Sequence, residues 1–125
     1  MTTLISKEGQ AVPSVTWPAR VGDDWVQISS DDIFKNRTVV VFSLPGAFTP
    51  TCSSTHLPRY NEMASVFRAN GIDEILCISV NDTFVMNAWA ANQEAENIRM
   101  IADGNGEFTA GMGMVTTFKN RGFGQ

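Results

Sequence analysis

The side chains best suited to covalent chemistry in this chain are its two cysteines, Cys52 and Cys77, and its single histidine, His56. Thiolate is the reactive form of cysteine, so reactivity depends on whether the surroundings favour that charge. Cys52 closes the stretch Pro45-Gly46-Ala47-Phe48-Thr49-Pro50-Thr51-Cys52, between an apolar strand-like run and a helical pattern. A helix start offers unpaired N–H groups and a positive dipole end, both favourable to a thiolate. Pro45 and Pro50 stiffen the loop, and a stiff loop keeps its donors aimed at one point. Thr49 places a hydroxyl within reach of the sulfur, able to donate to a thiolate while accepting from a protonated substrate oxygen. Together these features outweigh the usual reading of a free cysteine as a small buried hydrophobe.

Cys77 lies inside the run Glu74-Ile75-Leu76-Cys77-Ile78-Ser79-Val80 and reads as a strand-core residue. The alternative is a resolving thiol that attacks oxidised Cys52. That would need a rigid strand to move, because a disulfide needs Cα atoms within about 7 Å. His56 falls one helical turn after Cys52, which permits a Cys–His pair of the hydrolase kind. A polar helix residue is the favoured reading, because Pro58 disturbs the helix locally.

Elements of two kinds must position these residues. Val12 to Ile28 holds two half-apolar runs around Val21-Gly22-Asp23-Asp24 and predicts a hairpin. Ser29 to Asp32 caps a short helix through Phe34. Thr38 to Leu44 is continuous, β-branched and apolar, which predicts a parallel strand buried on both faces. A helix is expected over Cys52 to Asn70, kinked at Pro58, with Leu57, Tyr60, Ala64 and Phe67 on one face. Strand Glu74–Val80, a helix capped by Asn81-Asp82-Thr83, strand Arg99–Ala102 and a turn at Asp103 to Gly106 complete the alternation. Alternating strands and helices imply right-handed βαβ units and an α/β layer fold, with one domain over 1–125.

Composition narrows the function. The chain has 125 residues, 43% hydrophobic and 18% charged, with a formal net charge of −4. With no basic cluster, a nucleic-acid partner is not expected. No apolar run is long enough to span a membrane. The opening Met1 to Gln10 lacks a basic then apolar leader pattern, and two cysteines make no disulfide scaffold, so a reducing, cytoplasmic setting is expected. No metal-ligand cluster, Walker sequence or dinucleotide loop is present. Asp103-x-Asn105-x-Glu107 opens like a calcium loop, but Phe108 and Met114 occupy two positions that such a loop cannot give up. No cofactor or metal is therefore expected.

Val41-Phe42-Ser43-Leu44-Pro45-Gly46-Ala47-Phe48-Thr49-Pro50-Thr51-Cys52-Ser53-Ser54-Thr55-His56-Leu57-Pro58 resembles the active-site segment of the atypical, type II peroxiredoxins. It is closest to the peroxiredoxin half of bacterial peroxiredoxin–glutaredoxin hybrids. Ser79 to Met86 and Asp103 to Phe108 resemble two further blocks of that family. The resemblance implies a thioredoxin-like fold and a thiol-dependent peroxidase acting on hydrogen peroxide and alkyl hydroperoxides. In the family pattern, Pro45 shields the site, Thr49 orients the peroxide and Cys52 attacks it, becoming a sulfenic acid. The implied reductant is glutathione, glutaredoxin or thioredoxin, and relatives commonly form homodimers. Cys77 matches a family core-strand cysteine that is usually not a resolving partner. The family also places an arginine after the segment matched by Gly122 to Gln125, and neither Arg99 nor Arg121 matches it. Two closing strands and a last helix are absent as well, leaving Thr38 to Leu44 as an open edge. The expectation is a C-terminally truncated peroxiredoxin domain. The alternative is a catalytically weak redox-sensing or interaction module.

Overall fold

A computed structural model describes residues 5–116 and Arg121. Strands β1 (Thr16–Val21) and β2 (Asp24–Ser29) form the expected antiparallel hairpin, in register from Thr16 opposite Ser29 to Val21 opposite Asp24. The connection is two residues long, and Gly22 takes φ +61, a conformation open to glycine at the first position of such a turn. Helix α1 (Ser30–Phe34) starts in a full capping box. The Ser29 hydroxyl accepts from the Asp32 N–H, and the Asp32 carboxylate accepts from the Ser29 N–H.

Strands β3 (Val39–Ser43), β4 (Glu74–Ser79) and β5 (Arg99–Ala102) form a parallel sheet in the order β3-β4-β5. Between β3 and β4 run a π-helical turn (Cys52–His56) and helices α2 (Leu57–Glu62) and α3 (Ala64–Ala69). The single kinked helix expected over Cys52 to Asn70 is thus three pieces. Its start is widened into a π-turn ahead of Pro58, and Met63 breaks it again. Helix α4 (Thr83–Asn92) joins β4 to β5 and is capped by Asp82, whose carboxylate accepts from the Val85 N–H. Helix α5 (Glu107–Gly111) follows the turn after β5, from Gly106 at φ +72.

Alternation along β4 divides the core between the two faces of the sheet. Ile75 and Cys77, with Phe42 opposite Cys77, face α2, α3 and α4 and pack with Leu57, Ala64, Met86 and Trp89. Tyr60 stacks on Phe42 with ring centroids 4.0 Å apart, so the apolar helical stripe lands where its spacing predicts. Leu76 and Ile78 face the hairpin and α5, among Val15, Trp17, Ile33, Ile101 and Phe108. Buried Asp103 ties that second face together. Its carboxylate accepts from the Trp17 indole, the Phe108 and Thr109 N–H groups and the Thr109 hydroxyl. At the opposite end of the strands, Glu74 pairs with both Arg37 and Arg99.

Burial of β3 departs from the two-faced burial that its apolar run predicts and agrees with the open edge that the family resemblance implies. β4 is buried on both faces, but in β3 Phe42 is covered while Val41 is 37% exposed and Ser43 is exposed. Among the described residues β3 pairs on one side only, and Val41 and Ser43 line a groove of about 200 Å³ with Phe34, Ile78 and Phe108. An apolar run marks a strand; how many neighbours the strand has depends on tertiary pairing. No helix among the described residues is long and apolar enough to cross a membrane.

Candidate active site

Parallel strands direct their C-terminal ends to one side of the sheet, where open α/β folds place ligands. β3 leads into Leu44, Pro45 and Gly46 at that side. There the chain tightens: the Thr49 hydroxyl donates to the Gly46 carbonyl at 2.7 Å. Phe48 sits at φ +65, a left-handed conformation that costs a non-glycine residue energy and persists only where surroundings enforce it. The Ser53 N–H then donates to the Thr49 carbonyl at 3.0 Å, starting the helical path. Cys52 sits in this first turn, 2% exposed, in one core cluster with Leu44 and Leu57.

Two side chains from the β4–α4 segment fix the loop. The Asn81 side-chain oxygen accepts from the Ala47 N–H at 3.0 Å and from the Ser79 hydroxyl at 2.6 Å. The Trp89 indole N–H donates to the Ser53 hydroxyl at 2.9 Å. The Ser43 hydroxyl donates to the Ile78 carbonyl, closing the same end of the sheet. Gly104 lets the β5–α5 turn come close behind Asn81, since a Cβ there would lie 3.3 Å from the Asn81 carbonyl oxygen.

Pro45, Thr49 and Cys52 all lie in this one loop and turn, Pro45 exposed, Thr49 half-buried and Cys52 buried. One detail differs from the sequence-based expectation. The Thr49 proton goes to the Gly46 carbonyl rather than to the sulfur, because the turn brings that carbonyl to 2.7 Å. A hydroxyl has one proton and two lone pairs, so Thr49 here retains acceptor capacity. His56 is exposed while Cys52 is buried, and no hydrogen bond joins them, so the Cys–His pair needed by a hydrolase does not form.

Cys77 has 0% exposure on β4, in the same core cluster as Cys52, and both thiols are free. Burial, and secondarily the nearby Cys52, push the Cys77 thiol up from 9.0 to about 12. It therefore stays protonated, and weakly nucleophilic, across the physiological range. Arg37 and Arg99 pair with Glu74 at the far end of β4, and Arg20 and Arg68 donate to backbone carbonyls of Gly22 and Asn97. Among the described residues no group of three or more His, Cys, Asp or Glu side chains is placed to hold a metal ion.

Local sequence pattern does not single out Ser53, Asn81 or Trp89 as loop-fixing residues; Asn81 reads as part of a helix cap, and Trp89 lies within the helix that follows it. A usable signal exists for Trp89: an indole N–H that goes into a core must find an acceptor.

The chain matches the Redoxin family model over residues 7–122. It is 61% identical over 122 residues to a hybrid peroxiredoxin of Haemophilus influenzae, covering 98% of this chain and 51% of that protein. A peroxiredoxin of Rhizobium etli is 48% identical over 122 residues, covering 90% of this chain and 68% of the relative. The chain thus spans about half of the first relative and about two thirds of the second. Among solved structures, a reduced peroxiredoxin of Vibrio vulnificus in complex with hydrogen peroxide superposes with a TM-score of 0.85 at 41% identity. That match covers 90% of this chain and 72% of the other. The Plasmodium falciparum antioxidant protein, a 1-Cys peroxiredoxin, superposes with a TM-score of 0.88 at 36% identity, covering 94% of this chain and 72% of the other.

Proposed function

The chain belongs to the peroxiredoxin family and shares its thioredoxin-like fold; from that premise we propose that it is a thiol-dependent peroxidase whose nucleophile is Cys52. The observation that carries this reading is the contrast in setting between its two sulfurs. Cys52 lies in a pinned loop at the C-terminal end of the sheet, and Cys77 is sealed in the middle of it.

The Cys52 thiolate attacks one oxygen of a hydroperoxide. An S–O bond forms as the O–O bond breaks, two electrons pass from sulfur to the peroxide, and the leaving oxygen takes a proton to become water or an alcohol. Cys52 is left as a sulfenic acid. Thr49, with its own proton held by Gly46, accepts the peroxide's proton as a hydrogen bond and aims the attacked oxygen at the sulfur. Pro45 covers the loop on the solvent side. A thiol then attacks the sulfenic sulfur and expels water, and a second thiol releases Cys52 as a thiol and leaves with the first as a disulfide. Glutathione, glutaredoxin or thioredoxin supplies these thiols, in the cytoplasm. Cys77 takes no part, since its thiol stays protonated and its strand is held on both sides by β3 and β5. The active unit is a homodimer of such domains.

The test is peroxide consumption by this chain with each reductant, together with dimedone labelling. Peroxide should make Cys52, and not Cys77, dimedone-reactive, and Cys52→Ser should remove both labelling and turnover. Labelling of Cys77, or turnover surviving in Cys52→Ser, contradicts the proposal. One observation favours a slower second reading as a redox sensor. Arg20, Arg37, Arg68 and Arg99 are all engaged away from the Cys52 loop, and Arg59 pairs with Glu62, so none of these five is engaged with that loop. Labelling of Cys52 without turnover would select that reading.

A further inference from the structure

The turn that carries Cys52 has an unusual hydrogen-bond register. In Cys52–His56 the Leu57 N–H reaches back five residues to the Cys52 carbonyl, instead of the four of an α-helix. Such π-turns are rare and need something to hold them. Pro58 supplies part of the reason. It has no N–H, and in a regular helix its ring would press on the carbonyl four residues before it, that of Ser54.

The other part comes from α4. Trp89 is fully buried, in the same cluster as Cys52, and its indole has one donor and no acceptor. That donor is satisfied by the Ser53 hydroxyl at 2.9 Å, on the residue next to the sulfur. The same ring faces Phe48, centroids 6.5 Å apart, which holds its left-handed conformation with its side chain 51% exposed. Trp89 therefore touches the Cys52 loop both before and after the Thr49–Cys52 step. Narrowing the turn to an α register would rotate Ser53 away from the indole and leave a buried N–H without a partner, a costly outcome.

We propose that Trp89 is a positioning residue for Cys52: through Ser53 it selects the wide turn over the narrow one and so sets how far the sulfur is withdrawn from solvent. The catalytic consequence rests on the reading of Cys52 as the nucleophile, but the placement of the sulfur can be measured without it.

Three variants separate the contributions. Ser53→Ala removes the acceptor and leaves the tryptophan packing intact. Trp89→Phe keeps an aromatic ring and removes the N–H. Ser53→Thr keeps the hydroxyl. Each is compared with the parent chain by mass-spectrometric rates of Cys52 alkylation with iodoacetamide, a small reagent, and with a bulky pyrenyl maleimide. In Ser53→Ala the ratio of bulky to small rates should rise about fivefold, the population shift that one net hydrogen bond is worth. Trp89→Phe should do the same, the double variant should go no further, and Ser53→Thr should match the parent. A parental ratio in Ser53→Ala, with its thermal transition still cooperative, overturns the proposal even if Trp89→Phe fails to fold. So does additivity in the double variant. If the parent chain forms no sulfenic acid but the ratio shifts as described, the positioning role stands and the peroxidase reading falls.

Discussion

Cys52 and Cys77 are chemically the same side chain, both nearly free of solvent contact and both in one core cluster, yet they occupy opposite kinds of backbone. Cys77 is held by β-ladders to β3 and β5, and the groups around it are apolar. Cys52 is held by side chains: Asn81 on Ala47 and Trp89 on Ser53 from far along the sequence, and Thr49 on Gly46 within the loop itself. A ladder gives a sulfur no reason to change its surroundings. A loop pinned at a few points can admit a small molecule and let its turn rearrange. Burial alone does not distinguish the two sulfurs; the kind of restraint does, and the proposed assignment of Cys52 as nucleophile rests on that difference.

The contrast breaks most completely at the sulfurs themselves. Cys52→Ser should reduce peroxide consumption to the uncatalysed background, whereas Cys77→Ser should retain most of the parental rate in the same coupled assay. Equal loss in both would show that the two positions are not distinct in function. A smaller effect is expected at the loop's hydroxyl. Thr49→Val should lower the second-order rate with hydrogen peroxide about a hundredfold, the usual cost of losing one aligned polar group at a reacting oxygen. Thr49→Ser should recover most of it. A parental rate in Thr49→Val would remove the threonine from the mechanism.

The strand sharpens the comparison through pH. In the folded chain the Cys77 thiol is raised from 9.0 to about 12, so the native state keeps a proton that the unfolded chain releases in that window. Its contribution to stability is whole below about pH 9 and falls as pH rises towards about 12. Urea midpoints of the parent chain should drop more steeply across that window than those of Cys77→Ala, which lacks the titrating group. Parallel slopes would mean that Cys77 is not sealed from solvent. The smallest change is away from both sulfurs. Ser29→Ala removes half of the α1 capping box and should cost about 1 kcal/mol by urea unfolding, with peroxide consumption unchanged.

Much of the scaffold was legible because short-range rules govern it. The hairpin turn at Gly22-Asp23, the Ser29 cap, the β-branched runs of β3 and β4 and the stripe of Leu57, Tyr60, Ala64 and Phe67 each follow from local pattern. The strand–loop–helix junction that holds Cys52, with Pro45, Thr49 and Pro50 ahead of it, was also readable from local pattern. The exposure of Val41 and Ser43 runs against the local pattern of β3 but agrees with the open edge that the family resemblance implies. Two things were not legible. The π-turn depends on a hydrogen bond from a helix far along the chain. Asn81 is the second, because its neighbours in sequence advertise a helix cap, while its side chain serves a loop that only the fold brings near. The Gly122 to Gln125 segment, after which the family places its arginine, lies outside the described residues.

The most direct single measurement is peptide mapping of the reduced chain after brief exposure to a stoichiometric amount of hydrogen peroxide at neutral pH, with dimedone present. Sulfenic acid on the peptide that contains Cys52, and an unmodified Cys77, is the predicted result. Oxygen appearing first on Cys77, or on methionines while Cys52 remains a thiol, would contradict it.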